Sequence, residues 1–205
     1  MADYTWVDIQ IPEAIQLADL GGILWDLQRA RQFAEMLTAE FSANKTNWEI
    51  VEPLSIAATV MYSRPFMSGV RHRLGEEDLK ILSSRQCTAH KYIRAYRDKH
   101  VAHSVNAFEG NNVRAYYCVE QVKDEGVTSI GYGGGRVTGL KGREVKDIIE
   151  LTKVFEAHIQ SQIAIEETRL LSIVRGMPLK DILGGRRQTF LEDSRTKITD
   201  DPRKR

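Results

Sequence analysis

Cysteine is scarce. Cys87 and Cys118 are the only two in 205 residues, and neither stands in a CxxC or Cys/His ligand spacing. That argues against a cysteine-based zinc site and against a disulfide scaffold. Each has apolar or aromatic neighbours, so both read as reduced, partly buried thiols. Long apolar runs are absent too, so no membrane-spanning helix and no membrane association are expected. The N-terminal stretch MADYTWVDIQIPEA lacks a basic start and a continuous apolar run, so no signal peptide is expected and the expected location is cytoplasmic. Charge of one sign is not in excess either. The net charge is +1, so the chain is not a polycation that binds every anion it meets. No cluster of His, Cys, Asp and Glu has metal-ligand spacing, and neither a metal nor a cofactor is expected.

Hydrophobic residues make up 42%, near the norm for a globular protein and enough for one sizeable core. Apolar positions from Ile15 to Phe41 recur at helical spacing and predict a helix over 13–43, with Gly21-Gly22 as its weak point. A second helix is predicted over 47–62, with Pro53 tolerated near its first turn and Pro65 bending or stopping it. The acids of LGEED favour a helix start, and helix is expected from 76 to about 104, with an irregularity at Ser83-Ser84. NVRAYYCVEQV and VTSIGY then switch to a strand-like pattern around the turn-like KDEG, which predicts a hairpin insert at about 112–139. A long helix returns from Val145 to about Ile173 and is ended by RGMPL. The fold class is therefore mainly α: an up-and-down bundle of about four long helices with a small β-hairpin insert before the last helix. Residues 1–183 form the expected single domain, and 184–205 a polar tail expected to be mobile.

Two features read plainly. GYGGGR (131–136) lacks the GK[ST] ending of a phosphate loop and is expected to be a flexible hairpin turn. The acid pairs Glu76-Glu77 and Glu166-Glu167 read as a helix start and a solvated helix face.

Charge is unevenly spread. Between Arg64 and His103 there are nine Lys or Arg and four acids, and four of the five histidines fall in the same window. A basic, His-rich segment in a near-neutral chain points to an anionic ligand, or to a helix face that is simply basic. Within it YRDKHVAHS (96–104) is densest in polar chemistry. On a helical wheel with Tyr96 at zero, Ala89, Tyr92, Ile93, His100 and His103 fall within about 60° and form the apolar face. Arg97 lies near its border at about 100°, with His90 and Val101, and Arg94 and Asp98 point outward as an i,i+4 pair. His103 is offset about 120° from Arg97, so one regular helix does not bring the two together. A second copy across a two-fold axis can. The plain alternative is a His103 tucked against the bundle with one hydrogen bond.

Arg97-Asp98 followed by His103 resembles the signature of the HEPN superfamily, an arginine, often with Asn or Asp after it, and a histidine a short distance on. Five residues separate Arg97 from His103 here. The stretch VMYSRPF, Val60 to Phe66, is similar to segments on the preceding helix of bacterial members, and the resemblance covers chiefly residues 57–104. Arg94 to His100 offers the same spacing in another register. Arg97 to His103 is preferred because Asp98 then fills the polar position and His103 follows the small Ala102. The resemblance implies metal-independent RNA cleavage at a composite site in a homodimer, in a toxin or defence setting and with an antitoxin or other defence partner. It assigns Arg97 and His103 as catalytic, Asp98, Arg94 and His100 as supporting, and Arg64 and Lys99 as contacts to the RNA backbone. It leaves open an inactive module that binds nucleic acid, nucleotide or protein, and a plain helical scaffold.

Overall fold

In the computed structural model the described residues are 8–9, 11–69, 71–101, 109–117, 127–136 and 139–183. They are mainly helical, with one two-stranded antiparallel sheet. Helix α1 spans Ile15–Ser42, behind a short 3-10 turn at Pro12–Ala14. Its fully buried residues are Leu20, Ile23, Leu27, Ala30, Ala34 and Leu37. They alternate three and four residues apart, which keeps one seam facing its neighbours. Helix α2 (Trp48–Ser63) and helix α5 (Gly142–Arg175) pack along α1. Their buried stripes, Val51, Leu54, Ala58 and Tyr62 on one and Val145, Ile148, Leu151, Phe155 and Ile159 on the other, complete the core. Each such Leu or Ile contributes about 1.5–3 kcal/mol by leaving water.

The Gly21-Gly22 pair does not break α1. Gly22 instead makes room for a long side chain: a Cβ there would lie 2.9 Å from Nη1 of Arg71. Over this bare spot Arg71 reaches Asp26, one turn further along, at 2.6 Å. Pro53 falls in the second turn of α2 and costs one backbone bond without ending the helix. At Pro65 the α-helix stops as expected and gives way to a 3-10 turn, Arg64–Phe66.

The helix expected from 76 to about 104 is three pieces. Helix α3 is a single turn, Glu76–Leu79. Helix α4 runs Ser84–Tyr96 behind a capping box in which Ser83 and Gln86 bond each other's backbone N–H. A π turn, Arg97–Val101, follows. The irregularity expected at Ser83-Ser84 is a break between two helices, and Ser83 caps the second, its hydroxyl satisfying an N–H group that a helix start leaves bare.

Strands β1 (Glu109–Tyr117) and β2 (Val127–Arg136) form the hairpin, with Val113 opposite Tyr132 and Ala115 opposite Ile130. The glycines of GYGGGR lie inside β2, not in a turn: the cross-strand ladder pairs them with residues of β1. The KDEG stretch, Cys118 and the tail from 184 lie outside the described residues. Helix α5 ends at Arg175, with the N–H of Gly176 bonded back into its last turn, and helix α6 (Leu179–Leu183) follows. Glu166 is not part of a solvated face. It is buried and takes a hydrogen bond from Arg169 at 2.7 Å, while Glu167 is exposed.

Candidate functional site at the end of helix α4

Helix α4 is anchored by Ile93 and Tyr96, both buried. Its buried face is turned from the expected one by about 60° on the wheel. His90, placed at the border from sequence, is 6% exposed, whereas Tyr92, placed inward, is 43% exposed. Helix α4 meets both α2 and α5, and the wider contact draws the face toward His90. Arg97 then falls at the edge of this inward sector, and its side chain is only 25% exposed.

At Arg97 the backbone bonding widens from α to π through Val101. The turn packs against α2. Within it Arg97 donates to Asp98 at 3.0 Å. The ring of His100 lies 4.9 Å from that of Tyr96. Lys99 is exposed and forms no ion pair among the described residues. Arg94 does not pair with Asp98 as the i,i+4 spacing predicted. Its guanidinium turns back over the Phe66 ring, 5.7 Å from the centroid, and its Nε is buried with no hydrogen-bond partner among the described residues. Aromatic contact and burial of the arginine stem hold it there, while Asp98 is taken by its nearer neighbour. His103 lies outside the described residues, so its distance from Arg97 has no place in this geometry.

Arg64 is also partly committed. It stands 3.5 Å from the carboxylate of Asp26, which is 1% exposed and also receives Arg71. Of the residues expected near RNA, Arg94 and Lys99 therefore carry charge that no carboxylate among the described residues neutralises, and Arg64 and Arg97 do not.

Beneath Arg94 lies a polar pair that was not expected. The hydroxyl of Tyr62 and Nδ1 of His90 share a hydrogen bond of 2.7 Å. Phe66 packs edge-on to both His90 and Phe155, with centroids 4.6 and 5.1 Å away. Burial, and then the positive charges of Arg94 and Lys91, lower the His90 pKa to about 4, so the imidazole is neutral at pH 7. Burial raises the Tyr62 hydroxyl well above its ordinary value. Both groups are sealed in the core, which suits them to holding α2 against α4 rather than to meeting a substrate. The sequence did carry a signal for this. His90, Ile93 and Tyr96 recur three residues apart, as one inward face would require.

On the other flank of α4 a groove of about 380 Å³ is lined by Arg85, Tyr92, Arg143, Glu144 and Asp147. Its charges oppose one another, and Arg85 is held by Asp147 and Glu150, at 2.8 Å each. Among the described residues no group of three His, Cys, Asp or Glu is placed to hold a metal ion, and no helix is long and apolar enough to cross a membrane. No family model, no curated protein and no solved structure matched the chain.

Proposed function

We propose that the chain is a HEPN-type endoribonuclease that cleaves RNA without a metal ion and works as a homodimer. The observation that carries this reading is the π turn at Arg97–Val101. Such widened turns concentrate at functional sites, and this one falls on Arg97, Asp98 and His100, residues that the family signature also marks. The unneutralised charges of Arg94 and Lys99 beside it suit a phosphate backbone. The proposal includes an up-and-down arrangement of four long helices, here α1, α2, α4 and α5, and a cytoplasmic toxin or defence role with an antitoxin or defence partner.

RNA supplies its own nucleophile. Neutral His103 accepts the proton of the 2′-OH as that oxygen attacks phosphorus, and a protonated imidazole returns a proton to the departing 5′-oxygen. Arg97 braces the negative charge that develops on the phosphoryl oxygens. The products are a 2′,3′-cyclic phosphate and a 5′-hydroxyl. A regular helix would hold Arg97 and His103 about 120° apart, and on this reading two chains contribute to the site.

The test is RNA cleavage in EDTA by the wild type beside Arg97→Ala and His103→Ala. Chelator-resistant cleavage to cyclic ends is expected, with a loss of about 100-fold or more in each variant. Undiminished cleavage by either variant removes that residue from the reaction. A second reading, a HEPN-like module that binds without cutting, is favoured by the carboxylates that already occupy Arg64 and Arg97. It predicts RNA retention with every strand intact.

A further inference from the structure

Asp26 brings one negative charge to two guanidiniums, so the trio it forms with Arg64 and Arg71 keeps one positive charge in surplus. The two arginines do not share the carboxylate equally. Nη2 of Arg71 donates to Oδ2 at 2.6 Å, a short charge-assisted hydrogen bond. Nη1 of Arg64 stands 3.5 Å from Oδ1, outside the usual hydrogen-bond range. The same nitrogen faces the sulfur of Met61 at 3.7 Å, and a thioether is a weak acceptor. Exposure follows the same order: the Arg71 side chain is 26% exposed and that of Arg64 52%.

Arg71 is also firmly seated. Its guanidinium lies over Gly22, where no side chain stands in the way. The chain beside it is pinned: the His72 N–H donates to Asp19 at 2.8 Å and the Leu74 N–H to the Pro65 carbonyl at 2.8 Å, with the Leu74 side chain buried. Arg64 extends from the 3-10 turn at the end of α2, two residues before the Phe66 ring that carries Arg94. Its surplus charge and that of Arg94 therefore belong to the same end of α2.

We propose that Arg71 is a positioning residue: it neutralises Asp26, so that Arg64 leaves the carboxylate and takes an RNA phosphate beside Arg94. The proposal rests on the ribonuclease reading for the identity of the polyanion. A carboxylate as deeply buried as Asp26 has to keep a cation. With Arg71 in place, that cation need not be Arg64, whose planar fork of donors suits a phosphodiester equally well. Without Arg71 the carboxylate captures Arg64, and the phosphate contact is lost although Arg64 is still there.

The test is binding of a 2′-O-methyl RNA oligonucleotide, which has no free 2′-OH to attack and so stays whole, followed by fluorescence anisotropy across a salt series. Arg64→Ala is expected to weaken binding about fivefold near physiological salt and to lower the slope of log K against log salt by about 0.7, the share of one phosphate on a single strand. Arg71→Ala should do the same with Arg64 intact. Asp26→Asn/Arg71→Ala should return both values to those of the wild type, because no carboxylate remains to hold Arg64. A merely structural Arg71 predicts no such rescue. If Arg71→Ala binds as tightly as the wild type, or the double variant binds as weakly as Arg71→Ala, the proposal falls and the ribonuclease reading stands. The expected dependence on Arg71, in a protein that leaves ordinary RNA uncut, upholds the proposal and sinks the ribonuclease reading. A wild type that binds no strand at any salt overturns both.

Discussion

His90 makes the folded protein sensitive to mild acid. Its ordinary pKa of 6.5 is lowered to about 4 in the fold, by burial first and then by Arg94 and Lys91. As pH falls below 6.5, the unfolded chain takes up a proton that the folded chain refuses. The stability tied to the neutral imidazole is therefore complete above pH 6.5 and drains away toward pH 4. Its slope reaches at most about 1.4 kcal/mol per pH unit. Denaturant titrations between pH 7 and 4 should show a shallower decline in His90→Gln than in the wild type, and identical declines would refute the assignment. Tyr62→Phe strands Nδ1 of His90 in the core and should cost about 1–3 kcal/mol by the same measurement. Asp78 acts lower on the pH scale. Burial pushes its carboxyl up, but hydrogen bonds from the Gly75 N–H, His158 and Gln162 outweigh that and leave it below the ordinary carboxylate value. Its contribution is present above that ordinary value and lost only as pH falls through the lowered one.

At the scale of elements, the stripe of α1 and the acidic start of α3 were legible from the sequence, and the form of the junctions was not. The spacing of Leu20, Ile23, Leu27, Ala30, Ala34 and Leu37 announces a helix whatever surrounds it. The irregularity at Ser83-Ser84 was visible, but not that it is a full break between α3 and α4, because Leu79, Ile81 and Leu82 continue the apolar pattern across it. The π turn has no local signature, since it depends on how the end of α4 meets α2. The glycines of β2 read as a turn because the side chains that cover them, Tyr116 and Arg114, come from the other strand. Of the candidate site, the chemistry of Arg97 and Asp98 was visible, but the inward turn of Arg94 and the commitment of Arg64 required the tertiary contacts. Asp26 ties α1 to the segment beyond α2 through Arg64 and Arg71. Either arginine can cover for the other, so Arg64→Ala and Arg71→Ala should each be mild. Together they leave a buried carboxylate uncompensated, at a cost of about 3–5 kcal/mol. Thermal unfolding of the two single variants and the double variant measures this, and strict additivity would count against a shared role. Ser83→Ala should cost about 1 kcal/mol through the lost cap.

For the whole molecule, the helical core and the hairpin are expected to open separately. Amides of α1 and α5 should exchange hydrogen only through global unfolding. Those of β1 and β2 should exchange through a much easier local opening. Equal protection of core and hairpin in dilute solution would contradict this. The length of α5 bears on how the proposed homodimer is measured. Its 34 residues make a rod of about 51 Å. A compact sphere of 205 residues, with a radius of gyration of about 17 Å, would be only about 43 Å across. Helix α5 is thus longer than such a sphere is wide, and the chain is expected to leave a sizing column ahead of a sphere of its mass. A single chain can pass for a larger species there, so its mass has to be weighed by sedimentation equilibrium or light scattering, which do not depend on shape.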